Sequence, residues 1–328
     1  MPLTDMPLED LRDYRPDVAA PDDFEEFWTG TLAAARAADG APAVFLPVTD
    51  TPLVTVDVYD VRFPGWGGHP IAGWLVLPRG ATQPLPAVIT YLGYSCGRGL
   101  PHEHLLWASA GYAHFVVDTR AQGHDTPDPD GRPTSQWVEG LMTQGIESPG
   151  DHYYRRVMAD CVRAVDVLRE HPAVDASRIV VSGGSQGGGL ALATAGLVGD
   201  AVAGALIDVP FLCHYRRGAD TASDGPYVEL VRYLGWHKRD DPDRLFRTLN
   251  YFDGQHFAAR ASAPALFSVA LMDPVCPPST VYAAYNRYAG EKAITVWQFG
   301  DHSGGRASQA REQLDWLAAR GLRGHAGA

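Results

Sequence analysis

The 328-residue sequence predicts an α/β fold, in which a mostly parallel central sheet is flanked by helices and preceded by an antiparallel N-terminal hairpin. The first observation is a set of short, nearly continuous apolar runs, which is typical of strands covered on both faces. They lie at residues 86–93, 112–118, 178–184, 203–210, 263–273 and 294–299. The second observation is that helical patterns separate most of these runs, as in a parallel sheet with right-handed crossovers. We therefore predict one domain over residues 1–328.

The N-terminal part of the chain predicts two features. Residues 1–50 are expected to form a helical cap, because two aspartates precede a pattern with apolar residues at helical spacing. These apolar residues are Phe24, Phe27, Trp28 and Leu32. The alternating stretch 53–63 and the apolar stretch 71–78 are separated by a turn containing Gly67 and Gly68, which predicts the hairpin.

The remaining helices and two long insertions follow from periodicity and composition. Helical patterns cover residues 153–171, 186–198, 278–290 and 307–321. Residues 119–150 are rich in Gly, Pro and Asp and predict a long loop, of a length usually reserved for function or assembly. Residues 211–260 interrupt the alternation, with helical pieces near 226–235 and 242–250, and are expected to form a roof over the site.

Charge and cysteine usage exclude several classes of protein. The formal net charge of −12 disfavours nucleic acid and anionic lipid as partners, whereas a neutral small molecule is unaffected. The four cysteines form no CxxC pair, so neither a zinc knuckle nor a dithiol redox site is indicated. The acidic N-terminus lacks the apolar core of a signal peptide, and no apolar run is long enough to span a membrane. We expect a cytoplasmic protein.

A candidate nucleophile lies between a predicted strand and a predicted helix. Gly183-Gly184-Ser185-Gln186-Gly187 matches the G-x-S-x-G pattern, in which a tight turn pushes the serine out of the sheet. The amide that follows the serine faces the developing oxyanion at a helix N-terminus. A structural glycine-rich turn or a nucleotide-binding turn is the alternative. The G-x-G-x-x-G spacing and the Walker lysine that nucleotide sites need are both missing.

A general base and its supporting carboxylate follow the serine in the order that an α/β-hydrolase requires. Asp273 ends the run 263–273, and His302 follows the run 294–299, so both lie at C-terminal ends of predicted strands. The intervening helical pattern makes these two strands neighbours. Asp208, which ends another strand, is the second candidate for the acid.

Other possible ligand sets are incomplete. His102-Glu103-His104 has no further ligand nearby, and the stretch around Asp128 and Asp130 departs from a calcium-binding loop at its end positions. No metal and no organic cofactor is predicted.

Several motifs together resemble one known family. GGSQGG, DTRAQG, YLGYSCGRG, LMDPVCPPSTVYAAYN and DVPFLCHYRR are similar to the acetyl xylan esterase and cephalosporin C deacetylase family, carbohydrate esterase family seven. The resemblance runs almost from end to end. Two positions depart from the family pattern. Ala121 stands in place of the glycine of a usual Arg-Gly-Gln, and Ser303 stands in place of the glutamate of a usual His-Glu. Ala121 would be strained if its backbone requires a positive φ.

The resemblance implies both a mechanism and an assembly. It implies an α/β-hydrolase with Ser185, Asp273 and His302 as the catalytic triad, and an oxyanion hole made by the amides of Tyr94 and Gln186. It implies deacetylation of short acetylated xylo-oligosaccharides and of cephalosporin C. It also implies a cytoplasmic homo-oligomer, a hexamer, with an interface loop near residues 124–145 that is shorter here than is usual.

The substrate pocket is less defined by the sequence. Trp107, Phe211 and Pro226 are candidate walls of the acyl pocket, although residues of these types lie more often in a core. A broad small-acyl carboxylesterase or a peptidase on the same fold is the first alternative function. A non-catalytic hydrolase-like scaffold is the second, and the complete Ser, Asp and His set argues against it.

Overall fold

The computed structural model describes residue 3 and residues 5–130 and 138–324. Part of the predicted interface loop, residues 131–137, lies outside the described residues. The described chain contains a nine-stranded sheet. Its strands are β1 (Val44–Pro47), β2 (Val56–Pro64), β3 (Pro70–Pro78), β4 (Leu85–Tyr91), β5 (Ala113–Val117), β6 (Val174–Gly184), β7 (Gly204–Asp208), β8 (Ala265–Ala270) and β9 (Lys292–Trp297).

Helices precede the sheet, connect its strands and follow the last of them. They are α1 (Leu8–Asp13), α2 (Phe24–Ala37), α3 (Leu106–Ser109), α4 (Tyr153–Arg169), α5 (Gln186–Val198), α6 (Tyr215–Thr221), α7 (Tyr227–His237), α8 (Pro242–Leu249), α9 (Gly254–Ala258), α10 (Pro278–Arg287) and α11 (Arg306–Ala319).

The strand order confirms the predicted architecture. The order across the sheet is β1-β2-β3-β5-β4-β6-β7-β8-β9. Strands β1, β2, β3 and β5 pair in antiparallel fashion, whereas every pair from β5 through β4 and on to β9 is parallel. The predicted hairpin is β2 and β3, and the strands that carry the candidate acid and base, β8 and β9, are direct neighbours.

The apolar runs have a simple physical origin, since the parallel strands are covered on both faces. Alternate residues of one strand enter different clusters: Ile179 and Val181 of β6 pack into the largest core cluster, while Val180 packs into another. Helices α4 and α5 contribute to the first cluster, and Leu317 of α11 to the second. A strand between two helical layers needs apolar side chains at every position.

Two parts of the fold go beyond the sequence prediction. The first 50 residues contain helices α1 and α2 but also the edge strand β1, which pairs with β2. Residues 211–260 contain four helices, α6 to α9. Among the residues described between 119 and 150 there is no helix or strand. No helix in the described ranges combines the length and the apolar character needed to cross a bilayer.

Candidate active site

Ser185 occupies a strained turn between β6 and α5. Its φ is 57° and its ψ is −121°, a backbone conformation that residues other than glycine adopt at a cost in free energy. A Cβ atom at Gly183 would lie 2.3 Å from the carbonyl carbon of Gly187, and one at Gly187 would lie 2.1 Å from the Tyr91 oxygen. The two flanking glycines are therefore required by space. The Ser185 amide donates to the Asp208 carbonyl at 3.0 Å and holds the turn.

A continuous hydrogen-bonded chain joins the three predicted residues. His302 Nε2 lies 2.9 Å from Ser185 Oγ, and His302 Nδ1 lies 2.8 Å from Asp273 Oδ2. The other oxygen of Asp273 accepts from the amides of Val275 and Cys276 at 2.8 and 2.9 Å. These two donors fix the carboxylate, which in turn orients the imidazole. The structure thus brings together side chains from the ends of β6, β8 and β9.

The oxyanion side of the site is assembled from two loops. Gln186 begins α5, so its amide is among the N-terminal groups that have no acceptor within a helix. Tyr94 follows β4, the strand beside β6. The Gln186 side chain donates to the carbonyls of Leu92 and Gly93 at 3.2 and 3.3 Å. The residue after the serine therefore also holds the loop that leads to Tyr94.

Gln122 belongs to the same network, although the sequence reasoning gave it no role. Its Oε1 accepts from the Ser95 amide at 2.7 Å, and its Nε2 donates to Gln186 Oε1 at 2.8 Å. The side chain therefore links the loop after β4 to the start of α5. The signal in the sequence is its place in DTRAQG, one of the motifs that resemble the family.

Asp208, the second candidate for the acid, is engaged elsewhere. Its carboxylate accepts from Ser268 and Gln309 on one oxygen, at 2.8 and 2.9 Å, and from Gln313 on the other at 2.6 Å. All three donors are neutral. Burial raises the pKa of Asp208 to about 6, although these hydrogen bonds act in the opposite direction. The geometry favours Asp273 as the partner of His302.

The raised pKa of Asp208 predicts a pH-dependent stability. The folded protein holds this proton more tightly than the unfolded chain, whose ordinary pKa is 3.8. The free energy of unfolding contributed by Asp208 therefore falls as the pH rises from about 4 to about 6. Asp208→Asn removes this contribution. Between pH 4 and pH 7, we expect the free energy of unfolding of the variant to rise by about 2–3 kcal/mol relative to that of the wild type. Denaturant titrations at several pH values measure this, and a constant difference would contradict it.

Two cavities border the site. The smaller, of about 320 Å³, is lined by Ser185, Asp208 and His302 among others. The larger, of about 650 Å³, lies against Tyr94 and Gln122. Its lining combines polar and apolar surface in similar amounts, and helix α7 together with the preceding loop forms one side of it. The polar side chains are Ser95, Gln122, Glu139, Ser223, Asp224, Glu229 and Arg232.

Only one of the three predicted pocket walls lines either of these cavities. Pro226 lines the larger one. Phe211 is fully buried and packs edge-on against Tyr227 and Tyr94, behind the cavity rather than on its surface. The prediction that Trp107 is a pocket wall is corrected by the structure. Trp107 fills the core between α3 and the sheet, in contact with Tyr112, and is not brought to the site. Its apolar bulk is used for packing.

Cys276 is a neighbour that the sequence reasoning did not connect with the site. Within the described residues, Asp273, Cys276 and His302 form the one group whose ligand atoms are close enough to hold a metal ion, all within 4.8 Å. Hydrogen bonds within the Ser-His-Asp chain already account for two of its members. Burial raises the pKa of the Cys276 thiol well above its ordinary value, which keeps it protonated and a poor nucleophile.

The two departures from the family pattern have structural correlates. Ala121 has a φ of 60°, the left-handed conformation in which glycine is favoured. Ser303 lies in the loop that carries His302, and its amide donates to Asp301 at 2.9 Å. Its hydroxyl accepts from Arg306 at 3.1 Å. Polar contacts on the exposed side of the loop therefore hold this turn without a glutamate at position 303.

The strain at Ala121 predicts that glycine stabilises this position. The left-handed conformation costs a residue with a Cβ atom about 1–2 kcal/mol. Glycine avoids this cost, but its greater freedom in the unfolded chain takes back about 0.4–1 kcal/mol of the stabilisation. We expect Ala121→Gly to raise the free energy of unfolding by about 0.5–1 kcal/mol in denaturant titrations. Ala38→Gly, at a φ of −65°, is the control and is expected to destabilise the fold. Equal losses in both variants would contradict the strain.

Comparison with known proteins agrees with this geometry. A model of the acetyl xylan esterase family (AXE1) matches residues 1–320. The structure of an acetyl xylan esterase from Paenibacillus sp. R4 is 42% identical, with a TM-score of 0.91, over 96% of this chain and 99% of that one. Acetyl xylan esterase 1 from Thermoanaerobacterium sp. JW/SL YS485 is 31% identical, with a TM-score of 0.86, over 97% and 98% of the two chains.

A curated relative is longer than this chain. Acetyl esterase Axe7A from Xylanibacter ruminicola is 26% identical over 300 residues, which cover 88% of this chain. The match spans 65% of that protein's length. The family model nevertheless matches nearly every residue, and two acetyl xylan esterase structures share the fold over almost the entire length. The chain therefore belongs to the acetyl xylan esterase family of carboxylic ester hydrolases.

Proposed function

We propose that the protein is a serine esterase that removes acetyl groups from small acetylated carbohydrates through an acetyl-enzyme on Ser185. The observation that carries the proposal is the hydrogen-bonded chain from Asp273 through His302 to Ser185, with the serine on a strained strand-to-helix turn. Such a chain activates a hydroxyl that is otherwise a weak nucleophile.

In the first half-reaction, Ser185 Oγ attacks the acetyl carbonyl while its proton passes to His302 Nε2. Asp273 holds the other ring nitrogen and stabilises the imidazolium. The bond to the sugar oxygen then breaks, and His302 returns the proton to the departing hydroxyl. In the second half-reaction, water attacks the acetyl-enzyme while its proton passes to His302. The bond to Ser185 Oγ then breaks, His302 returns the proton to that oxygen, and acetate leaves.

The charge that develops on the carbonyl oxygen needs fixed donors. We assign this role to the backbone amides of Gln186 and Tyr94. The first lies at the N-terminus of α5, where the helix dipole favours negative charge. The second lies in the loop after β4, which the side chains of Gln186 and Gln122 hold at both ends. Donors held before the reaction need no reorganisation during it.

The leaving group is assigned to the larger cavity, which adjoins Tyr94. Its many hydroxyl, amide and charged side chains suit a partner that carries several hydroxyl groups. Acetylated xylo-oligosaccharides fit this description. Cephalosporin C, a second acetyl ester that the family resemblance implies, is proposed as an alternative substrate of the same site.

The substrate assignment is tested by acetate release from acetylated xylo-oligosaccharides and by a series of 4-nitrophenyl esters of increasing acyl length. We expect acetate release from the oligosaccharide, and a steep loss of kcat/KM from acetate to octanoate. Cleavage of the activated acetate without release from the oligosaccharide would discard the carbohydrate assignment. Equal rates along the acyl series would favour a broad carboxylesterase.

The family resemblance also supports a cytoplasmic homohexamer, which we propose as the assembled form. Some large apolar side chains are exposed in the single chain, including Trp236, Phe299 and Leu46. Contacts between copies commonly bury side chains of this kind. Light scattering on the purified protein measures the assembly.

A further inference from the structure

Glu229 is a buried carboxylate in contact with two other segments of the molecule. It lies on α7 and is 8% exposed. One oxygen accepts from the Tyr94 hydroxyl at 2.8 Å, and the other accepts from the Met142 amide at 3.1 Å. The Tyr94 hydroxyl in turn accepts from the Leu141 amide at 2.5 Å. One phenol and one carboxylate thus join the loop after β4, the loop at residues 140–142 and helix α7.

The arrangement requires an acceptor on both sides. A carboxylate satisfies both donors, whereas an amide of the same shape would turn its NH2 group toward one of them. The carboxylate is also tightly packed on the side of Gly140. A Cβ atom at Gly140, whose φ is 105°, would lie 2.1 Å from the Glu229 carboxyl group. Burial raises the pKa of Glu229 and makes its charge costly, so the carboxylate has a specific use at this point.

The contact bears on the backbone of Tyr94. The Gly93 carbonyl accepts from Gln186 at 3.3 Å, and the Ser95 amide donates to Gln122 at 2.7 Å. The peptide groups before and after Tyr94 are therefore held from the side of Ser185. The phenol is a third point of attachment, and its partners are Glu229 and the Leu141 amide. Three points fix the orientation of the Tyr94 amide, whereas two leave rotation about the line that joins them.

We infer that Glu229 is a positioning residue that fixes the Tyr94 amide as an oxyanion donor through the Tyr94 phenol. The inference rests on the proposed function, in which that amide stabilises the transition state. It also joins the roof helix α7 to the reaction, since Glu229 and Pro226 line the same cavity. The side chain itself is not expected to touch the reacting atoms.

The variants Glu229→Gln and Tyr94→Phe test the inference with 4-nitrophenyl acetate as substrate. Each is expected to lower kcat by about 10- to 100-fold, somewhat less than the removal of an oxyanion donor, with KM changed by about twofold at most. The double variant is expected to be no slower than the slower single variant, because both changes break one unit. A boronic acid that binds Ser185 is expected to lose affinity by the same factor as kcat/KM.

Glu147→Gln is the matched control. Glu147 accepts from the hydroxyl of Tyr233 at 2.8 Å, so it makes the same kind of contact with the same helix, but away from Tyr94. It also pairs with Arg244 at 2.8 Å. Glu147 is exposed whereas Glu229 is buried, so the kcat of each variant is compared together with its stability. A general effect of losing a Glu–Tyr contact at α7 predicts a loss of kcat in both variants. We expect the control to keep its kcat within about twofold, while thermal unfolding confirms that every variant is folded.

Several outcomes would overturn the inference. Unchanged kcat in Glu229→Gln, an effect confined to KM, equal losses in Glu147→Gln, or losses that multiply in the double variant would each do so. Acetate release from acetylated xylo-oligosaccharides by the wild type is measured in parallel. Its absence alone would overturn the carbohydrate assignment, and the variants would still decide the inference on the activated ester. A wild type that cleaves neither ester would overturn both.

Discussion

Ser185→Ala is expected to lower kcat for acetyl esters by at least about 10³-fold and toward 10⁶-fold, the range that removal of a serine nucleophile produces elsewhere. The reason is that no other described group stands in its place. His302 Nε2 faces Ser185 Oγ at 2.9 Å, and the nearby Cys276 thiol stays protonated. Alanine keeps the Cβ atom and the same backbone requirement, so the turn between β6 and α5 is preserved.

The measurement is acetate release together with the burst of 4-nitrophenol that signals an acyl-enzyme. The variant is expected to lose the burst and to unfold at the wild-type denaturant concentration. Its remaining activity should be insensitive to an organophosphate that inactivates the wild type. Activity within tenfold of wild type would show that another group attacks the ester. Loss of that remaining activity in a Ser185→Ala, Cys276→Ala double variant would assign it to Cys276, whose buried thiol a reagent would reach less readily than the exposed Cys96.

Asp273→Asn is expected to lower kcat by about 10³- to 10⁴-fold at neutral pH, with KM nearly unchanged. The local geometry explains the size of the effect. The introduced amide oxygen can keep both bonds from the amides of Val275 and Cys276, which directs its NH2 group at His302 Nδ1. A donor at Nδ1 selects the tautomer with a proton on Nε2, and that nitrogen can no longer accept the proton of Ser185.

Asp208→Asn is the matched control for this prediction. Asp208, like Asp273, is a carboxylate at the C-terminal end of a strand, and its main-chain oxygen accepts from the Ser185 amide. Its side chain, however, contacts Ser268, Gln309 and Gln313 rather than His302. We expect its kcat to stay within about tenfold of wild type, because none of these side-chain contacts reaches His302. Comparable losses in the two variants would mean that Asp208 supports the histidine.

Local sequence patterns were enough to predict most strands of the sheet. Each buried parallel strand is covered on both faces, so its apolar run is visible without any neighbour. Strand β1 behaves differently. Its four residues are mostly exposed, and Val44 and Leu46 show no periodicity that separates them from a loop. Only the pairing with β2, which begins nine residues after β1 ends, makes this segment a strand.

The site residues also differ in whether local sequence patterns predict them. Ser185, Asp273 and His302 were predictable because each ends or follows a recognisable strand, and topology brings those strand ends together. Glu229 carries no such signal, since it lies on a helix among residues of ordinary amphipathic pattern. Its importance depends on Tyr94, 135 residues away. Trp107 illustrates the opposite error, because composition alone cannot tell a core tryptophan from a pocket wall.

The position of the triad along the chain has a consequence for biosynthesis. Ser185 leaves the ribosome with the middle of the protein, and its base follows 117 residues later. Between them lie helices α5 to α10 and the three strands β7, β8 and β9, which complete the parallel half of the sheet. A nascent or truncated chain that ends before β9 therefore carries the serine without the imidazole that activates it. Esterase activity is expected only after the final strand has joined the sheet, so partly made chains release no acetate in the cell.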